Sequence, residues 1–212
     1  MTEAPPPTAS PRRVLLVLLL LGLVALGGAI FAYSRIRYAQ NTLLDLGHVP
    51  AFALTDADST RVTDRDLEGK IWIADFFFTT CRGLCPTLTG RMADLQAALA
   101  DYDDLRLVSI TVDPDHDTPS VLAAYARDHG ADRDRWQFLT GEKTSLLEMI
   151  RTGFLLPVRD ASGNAKEPIL HSSRLLLVDR KGEIRGAFDA LDETAMEDLV
   201  LQAKRLLDRD TP

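Results

Sequence analysis

Cysteine is nearly absent from this sequence: 212 residues contain two, Cys81 and Cys85, four positions apart. A bond between them would close a loop of a few residues and remove little unfolded-state entropy, which makes it a poor staple. Positive charge is scarce as well. From Tyr38 onward, twenty lysines and arginines face thirty aspartates and glutamates, a net charge of −10. Nucleic acid requires a basic patch, and anionic lipid attracts basic segments, so neither is a natural docking partner for that part of the chain. An acidic surface suits a domain held near a membrane that meets proteins by complementary charge. There is no internal repeat and no sign of a second folded domain. With 46% hydrophobic and 26% charged residues the composition is globular, and the length allows one domain plus an extension.

That extension is legible. Residues 14–33, "VLLVLLLLGLVALGGAIFAY", carry no charge. As a helix rising ~1.5 Å per residue, such a run spans a hydrocarbon core of roughly 30 Å. It exceeds the apolar core of a cleaved signal peptide and has no clear small-x-small cleavage site, so it reads as an uncleaved transmembrane signal anchor. Arg12 and Arg13 precede it and Arg35 and Arg37 follow, so the arginine count leaves orientation undecided. The organisation expected is a Pro-rich disordered tail over 1–13 on the cytoplasmic side, the anchor over 14–33, a tether over 34–47 and one domain over 48–212.

Within that domain, "HVPAFALTD" and "ADSTRVT" predict two short strands, and "DRDLEGK" a turn or one helical turn closed by Gly69. The continuous run 71–78, "IWIADFFF", predicts a strand buried on both faces. Leu88, Met92, Leu95 and Leu99 give a helix from Pro86 onward, and 105–113 is a second buried strand. A helix then begins with Thr118 at its N-cap and Pro119 at its first position, and stops before Gly130. "WQFLTG" is a strand and "EKTSLLEMIRTG" a helix; "FLLPVRDASGNAKEP" is a strand entering a polar loop. Residues 174–179 and 183–188 form a hairpin across Arg180-Lys181-Gly182, and 191–208 a closing amphipathic helix. Strands alternating with helices imply right-handed crossovers and helices on both faces of one sheet, an α/β domain of thioredoxin-like architecture.

The cysteines fall in the loop after the first central strand and in the first turn of the following helix. The positive end of a helix stabilises thiolate, which is both the nucleophile of disulfide exchange and a soft metal ligand. Three readings remain open: a structural disulfide, a redox dithiol with three intervening residues, and a metal site needing a third ligand, for which histidine is the natural choice. Of four histidines, His48 and His129 read as solvated surface residues, and His116 as a loop residue among acids. His171 immediately precedes a buried strand whose start would lie beside the cysteine loop, which suits a ligand or general base, with capping as the alternative.

Three stretches in this order, "FFFTTCRGLCP", "SITVDPDHDTP" and "LHSSRLLLVDRKGE", resemble the Sco/SenC proteins of cytochrome c oxidase assembly, from about His48 to the C-terminus. The resemblance implies a thioredoxin-like domain outside the cytoplasmic membrane, facing the periplasm or cell exterior. It implies one copper ion held by Cys81, Cys85 and His171, and delivery of copper to the dinuclear copper centre of the oxidase, or reduction of that centre's cysteines. In the second role Cys81 attacks and Cys85 resolves, and a thioredoxin-type reductant or other copper chaperones become partners. Arg82-Gly83 stands where the family commonly has Pro-Asp; a cation there opposes a metal cation and favours thiolate. Peroxidase chemistry on a related fold places a threonine three residues before its reactive cysteine, where this chain has Phe78.

Overall fold

The structure, a computed structural model, describes residues 20–31, 45–154, 158–159, 169–170 and 172–209. They fall in two units, Met1–Leu43 and Leu44–Pro212. In the first, a helix (α1) covers residues 20–31, all of them exposed. The tail over 1–13 and the remaining positions of the expected anchor lie outside the described residues. Twelve helical residues rise roughly 18 Å, and among the described residues no helix is long and apolar enough to cross a membrane.

The second unit is a sheet with helices on both faces. Its strands are β1 (Ala53–Asp56), β2 (Arg61–Thr63), β3 (Ile71–Phe77), β4 (Leu105–Thr111), β5 (Trp136–Thr140), β8 (Arg174–Val178) and β9 (Ile184–Asp189), in the order β2-β1-β5-β4-β3-β8-β9. A separate pair joins β6 (Val158–Arg159) to β7 (Ile169–Leu170). The helices are α2 (Cys85–Ala98), α3 (Pro119–Asp128), α4 (Lys143–Thr152) and α5 (Glu193–Arg209). β3, β4 and β5 run parallel, while β8 returns antiparallel against β3.

Every residue of β3 is buried, as its unbroken apolar run requires. Successive side chains on a strand point to opposite faces. Phe77 meets Tyr125 of α3 at 5.2 Å between ring centroids, whereas Phe76 meets Phe154, just past α4, at 5.1 Å. One face of the sheet therefore carries α3 and the other the end of α4. The Thr89 and Tyr125 hydroxyls, 2.8 Å apart, tie α2 to α3 on the Phe77 face. Two local expectations were modified. β4 ends at Thr111: the Val112 amide still donates to the Phe77 carbonyl at 2.8 Å, and the Asp113 amide then turns back to the Thr111 hydroxyl at 3.0 Å. Thr118 occupies the N-cap of α3, but its side chain makes no cap bond and its hydroxyl lies 3.1 Å from that of Ser120.

His48 was expected to be simply solvated. It is exposed, yet Nδ1 lies 2.7 Å from the Val49 carbonyl and Nε2 2.9 Å from the Lys181 carbonyl. Two carbonyl acceptors require two N–H donors, so the geometry selects the imidazolium. The Val49 carbonyl raises its pKa above the ordinary 6.5; burial opposes this, and the Lys181 carbonyl and the Glu183 and Asp64 charges add to the rise. The ring closes the β8–β9 turn over Gly182, whose φ of +79° suits only glycine comfortably. A raised folded-state pKa gives stability that is complete below the unfolded value and lost as pH rises through the folded one. Thermal unfolding followed across that window is therefore expected to show the midpoint falling with rising pH in the native chain, with this component absent in His48→Phe. Identical pH dependence in both proteins would refute the assignment.

Candidate functional site

The cysteine loop leaves the C-terminal end of β3, where parallel strands and the N-terminus of α2 converge. α2 begins at Cys85 with Pro86 directly after it, and Leu84 at the N-cap supplies no side-chain cap. A helix start has unsatisfied N–H groups. Here one is met by sulfur: the Cys85 amide donates to Cys81 Sγ at 3.4 Å. Cys81 is half-buried and Cys85 buried at 2% exposure, and neither is in a disulfide. Arg82 and Gly83 between them are exposed.

The expectation that the helix N-terminus would favour thiolate is not met at Cys85. Burial pushes its thiol well up, and the hydrogen bond and charge of Cys81 and the charge of Asp75 add to that. Desolvation of a charge outweighs a partial dipole when the sulfur is this deeply placed. The pair is thus asymmetric, with an accessible first sulfur and a buried second one.

Two buried acids frame the loop. Asp117 is 0% exposed. Its carboxylate accepts from the Thr79 amide (3.1 Å) and hydroxyl (2.5 Å) and from the Thr111 hydroxyl (2.5 Å), and lies 3.0 Å from His116 Nδ1. It thereby clamps the residue two before Cys81 to the end of β4. His116, expected as a loop residue among acids, is half-exposed and held by this carboxylate. His129, expected at the surface, is half-buried: its ring packs 4.1 Å from Tyr125, with Nδ1 2.9 Å from the Tyr125 carbonyl.

The second acid, Asp75, sits in mid-β3. It accepts from the Ser109 hydroxyl at 2.5 Å, and Ser109 in turn accepts from Trp136 Nε1 at 2.8 Å. Neither acid was singled out from sequence. The signal was there for Asp75, a lone charge inside a strand buried on both faces. Asp117 was indistinguishable from its neighbours in "DPDHD".

His171 lies outside the described residues. Its neighbours are Ile169–Leu170 in β7 and the buried Ser172. β8 pairs Leu176 with Ala74 and Val178 with Trp72. Because β8 runs antiparallel to β3, its start at Arg174 lies toward the end of β3 that leads into the cysteine loop.

The sequence matches the SCO1/SenC family over residues 42–207. The chain belongs to that family. The SCO1 protein homolog of Bacillus subtilis is 32% identical over 158 residues, covering 74% of this chain and 81% of that protein. The solved structure of BsSco, described as a Sco-family cytochrome c oxidase assembly protein with a disulfide switch, is similar at a TM-score of 0.69 and 30% identity, covering 79% of this chain and 98% of that one. ScoI of Bradyrhizobium japonicum with copper bound is similar at a TM-score of 0.64 and 26% identity, covering 76% and 100%. These likenesses establish the thioredoxin-like α/β fold of this SCO1/SenC chain.

Proposed function

We propose that this protein binds one copper ion through Cys81, Cys85 and His171 and serves assembly of the dinuclear copper centre of cytochrome c oxidase, its partner being the subunit that carries the centre. The observation that carries this reading is the pair of free sulfurs gathered at the start of α2, with Cys81 Sγ over the Cys85 amide. Two sulfurs and an imidazole are a donor set for copper, since thiolate selects Cu(I) and imidazole accepts either oxidation state. The antiparallel course of β8 supports His171 as the third ligand, since the start of β8, three residues after His171 in sequence, lies toward the end of β3 that leads into the cysteine loop. Exposed Leu20, Leu21, Leu23, Val24, Leu26, Ile30 and Phe31 on α1 support a membrane anchor, as an apolar helix exposed all round needs an apolar surrounding. The domain then faces the periplasm or cell exterior, where oxidase copper sites are assembled.

The test is titration of the reduced full chain with Cu(I) without oxygen and with Cu(II) in air. One ion per chain and a thiolate-to-copper charge-transfer band in the Cu(II) form are expected. No band and no measurable affinity would refute the copper reading. A second reading, thiol–disulfide exchange, is favoured by the asymmetry of the pair: the accessible Cys81 suits attack and the buried Cys85 resolution.

A further inference from the structure

α2 and α5 leave an open groove between them. β3 and β9 are both antiparallel to β8, so they run the same way, and the helices that follow them start from the same end of the sheet. A bridge joins those starts: Arg91 donates through Nε to the Ala190 carbonyl at 3.1 Å and through Nη2 to Glu193 at 2.5 Å. Beyond it lies a groove of about 310 Å³. Its walls are two matched stripes at i, i+3, i+4 and i+7. α2 contributes Arg91, Asp94, Leu95 and Ala98. α5 contributes Glu193, Met196, Glu197 and Val200. Residues at that spacing share one helix face, so the groove runs along both helices for about two turns. The buried Leu95 and Met196 form its floor, with Ala98 and Val200 beside them. Asp94, Ala98, Glu193 and Glu197 are exposed, so it is open to solvent. Such a trough suits a chain segment laid along it better than a small molecule, which is normally enclosed.

The charge on its rim is one-sided. Three carboxylates accompany one cation, and Arg91 is already engaged by Glu193 at 2.5 Å and Asp94 at 3.9 Å. We propose that the groove docks a basic amphipathic helix of a partner protein. Its apolar stripe lies on Leu95, Ala98, Met196 and Val200, and its lysines or arginines line up with the acids. Recognition of a helix in a groove reads anchors at i, i+3 or i+4 and i+7, the spacing that both walls present. The methionine in the floor adapts to anchors of different shape. A second copy of this chain is the wrong occupant. Its residues from Tyr38 onward carry a net charge of −10 and would meet an acidic rim. Arg91 lies six residues beyond Cys85 on α2, roughly 9 Å along the axis at ~1.5 Å per residue. The groove starts there and leads away from the cysteine loop, so a docked partner is held near the sulfurs and leaves the loop free. Docking here is independent of whether the cysteines carry copper or exchange disulfides.

The experiment follows methionine methyl signals by nuclear magnetic resonance, on the full chain, reduced and metal-free, in micelles of an uncharged detergent. Four methionines carry the label, and two decide: Met196 in the groove floor, and Met149 on α4 at the opposite face of the sheet. The probe is a synthetic peptide of two Leu-Lys-Lys-Leu-Leu-Lys-Leu heptads; its counterpart has glutamate for every lysine. The lysine peptide is expected to shift Met196 saturably and leave Met149 in place, and the glutamate peptide to shift neither. Raising salt from roughly 0.1 M to roughly 1 M shortens the screening length from ~10 Å to ~3 Å and is expected to weaken the binding. Glu197→Lys is expected to lower the affinity at least about threefold, since an exposed attraction becomes a repulsion. Ala98→Lys fills the groove from an exposed position and is expected to abolish the shift. A native Met149 signal in both variants shows that they are folded. An unmoved Met196, equal shifts from the two peptides, or undiminished binding in either variant would each overturn docking in this groove. So would a Met196 signal that moves with protein concentration alone, which makes a second copy the occupant, or with detergent alone, which makes the groove a nonspecific apolar surface.

Discussion

Replacing Cys81 or Cys85 with serine, or His171 with alanine, is expected to lower Cu(I) affinity by at least about 100-fold. Loss of an outer-shell partner of a metal ligand alone typically costs 10–100-fold, and loss of the ligand itself must exceed that. A hard hydroxyl does not replace a soft thiolate for Cu(I). The three substitutions should differ in their second effect. When the reduced chain is mixed with the aromatic disulfide of thionitrobenzoate, each exchange step releasing one coloured thiolate, Cys81→Ser is expected to give neither release, Cys85→Ser only the first, and His171→Ala to leave exchange largely intact. Competition against a chromophoric Cu(I) chelator measures the affinities. A His171→Ala protein that binds within tenfold of native would remove His171 from the ligand set and leave a two-sulfur site.

Trp136→Ala is expected to destabilise the domain by roughly 3–5 kcal/mol, the range for truncating a buried large aromatic. Trp136 is 1% exposed and stacks on Phe138 at 4.9 Å. Its indole N–H is also the donor that fixes Ser109, which in turn donates to Asp75. Trp136→Phe keeps most of the packing and loses that donor, so about 1–2 kcal/mol is expected, the cost of leaving a buried polar group without its partner. Denaturant unfolding with unchanged slope and a shifted midpoint is the measure. If Trp136→Phe cost as much as Trp136→Ala, the hydrogen-bond chain rather than the packing would dominate this part of the core.

The sequence by itself determined the elements and their punctuation. The unbroken run 71–78 could only be a strand covered on both faces, and β3 is buried throughout. The three- and four-residue spacing after Pro86 demanded a helix, and Gly69, Gly130 and Gly182 stand at the positive φ angles that close turns and helix ends. The neighbourhood of the two cysteines was also legible, because four positions at a helix start cannot separate far. Such features follow from local sterics and period, which a chain reveals without its partners.

Only the tertiary structure decided where β1 and β2 join the sheet, at the β5 edge, since strand pairing at such separations leaves no local trace. It decided that the Cys85 thiol is pushed up rather than down, because desolvation depends on what lies above and below the sulfur. It also distinguished Asp117 from the acids beside it by bringing Thr79, Thr111 and His116 to one carboxylate. Asp75 received its partner Ser109 in the same way, through the register of β3 with β4. Charge in a low-dielectric interior is governed by neighbours distant in sequence, and those neighbours exist only once the sheet has formed.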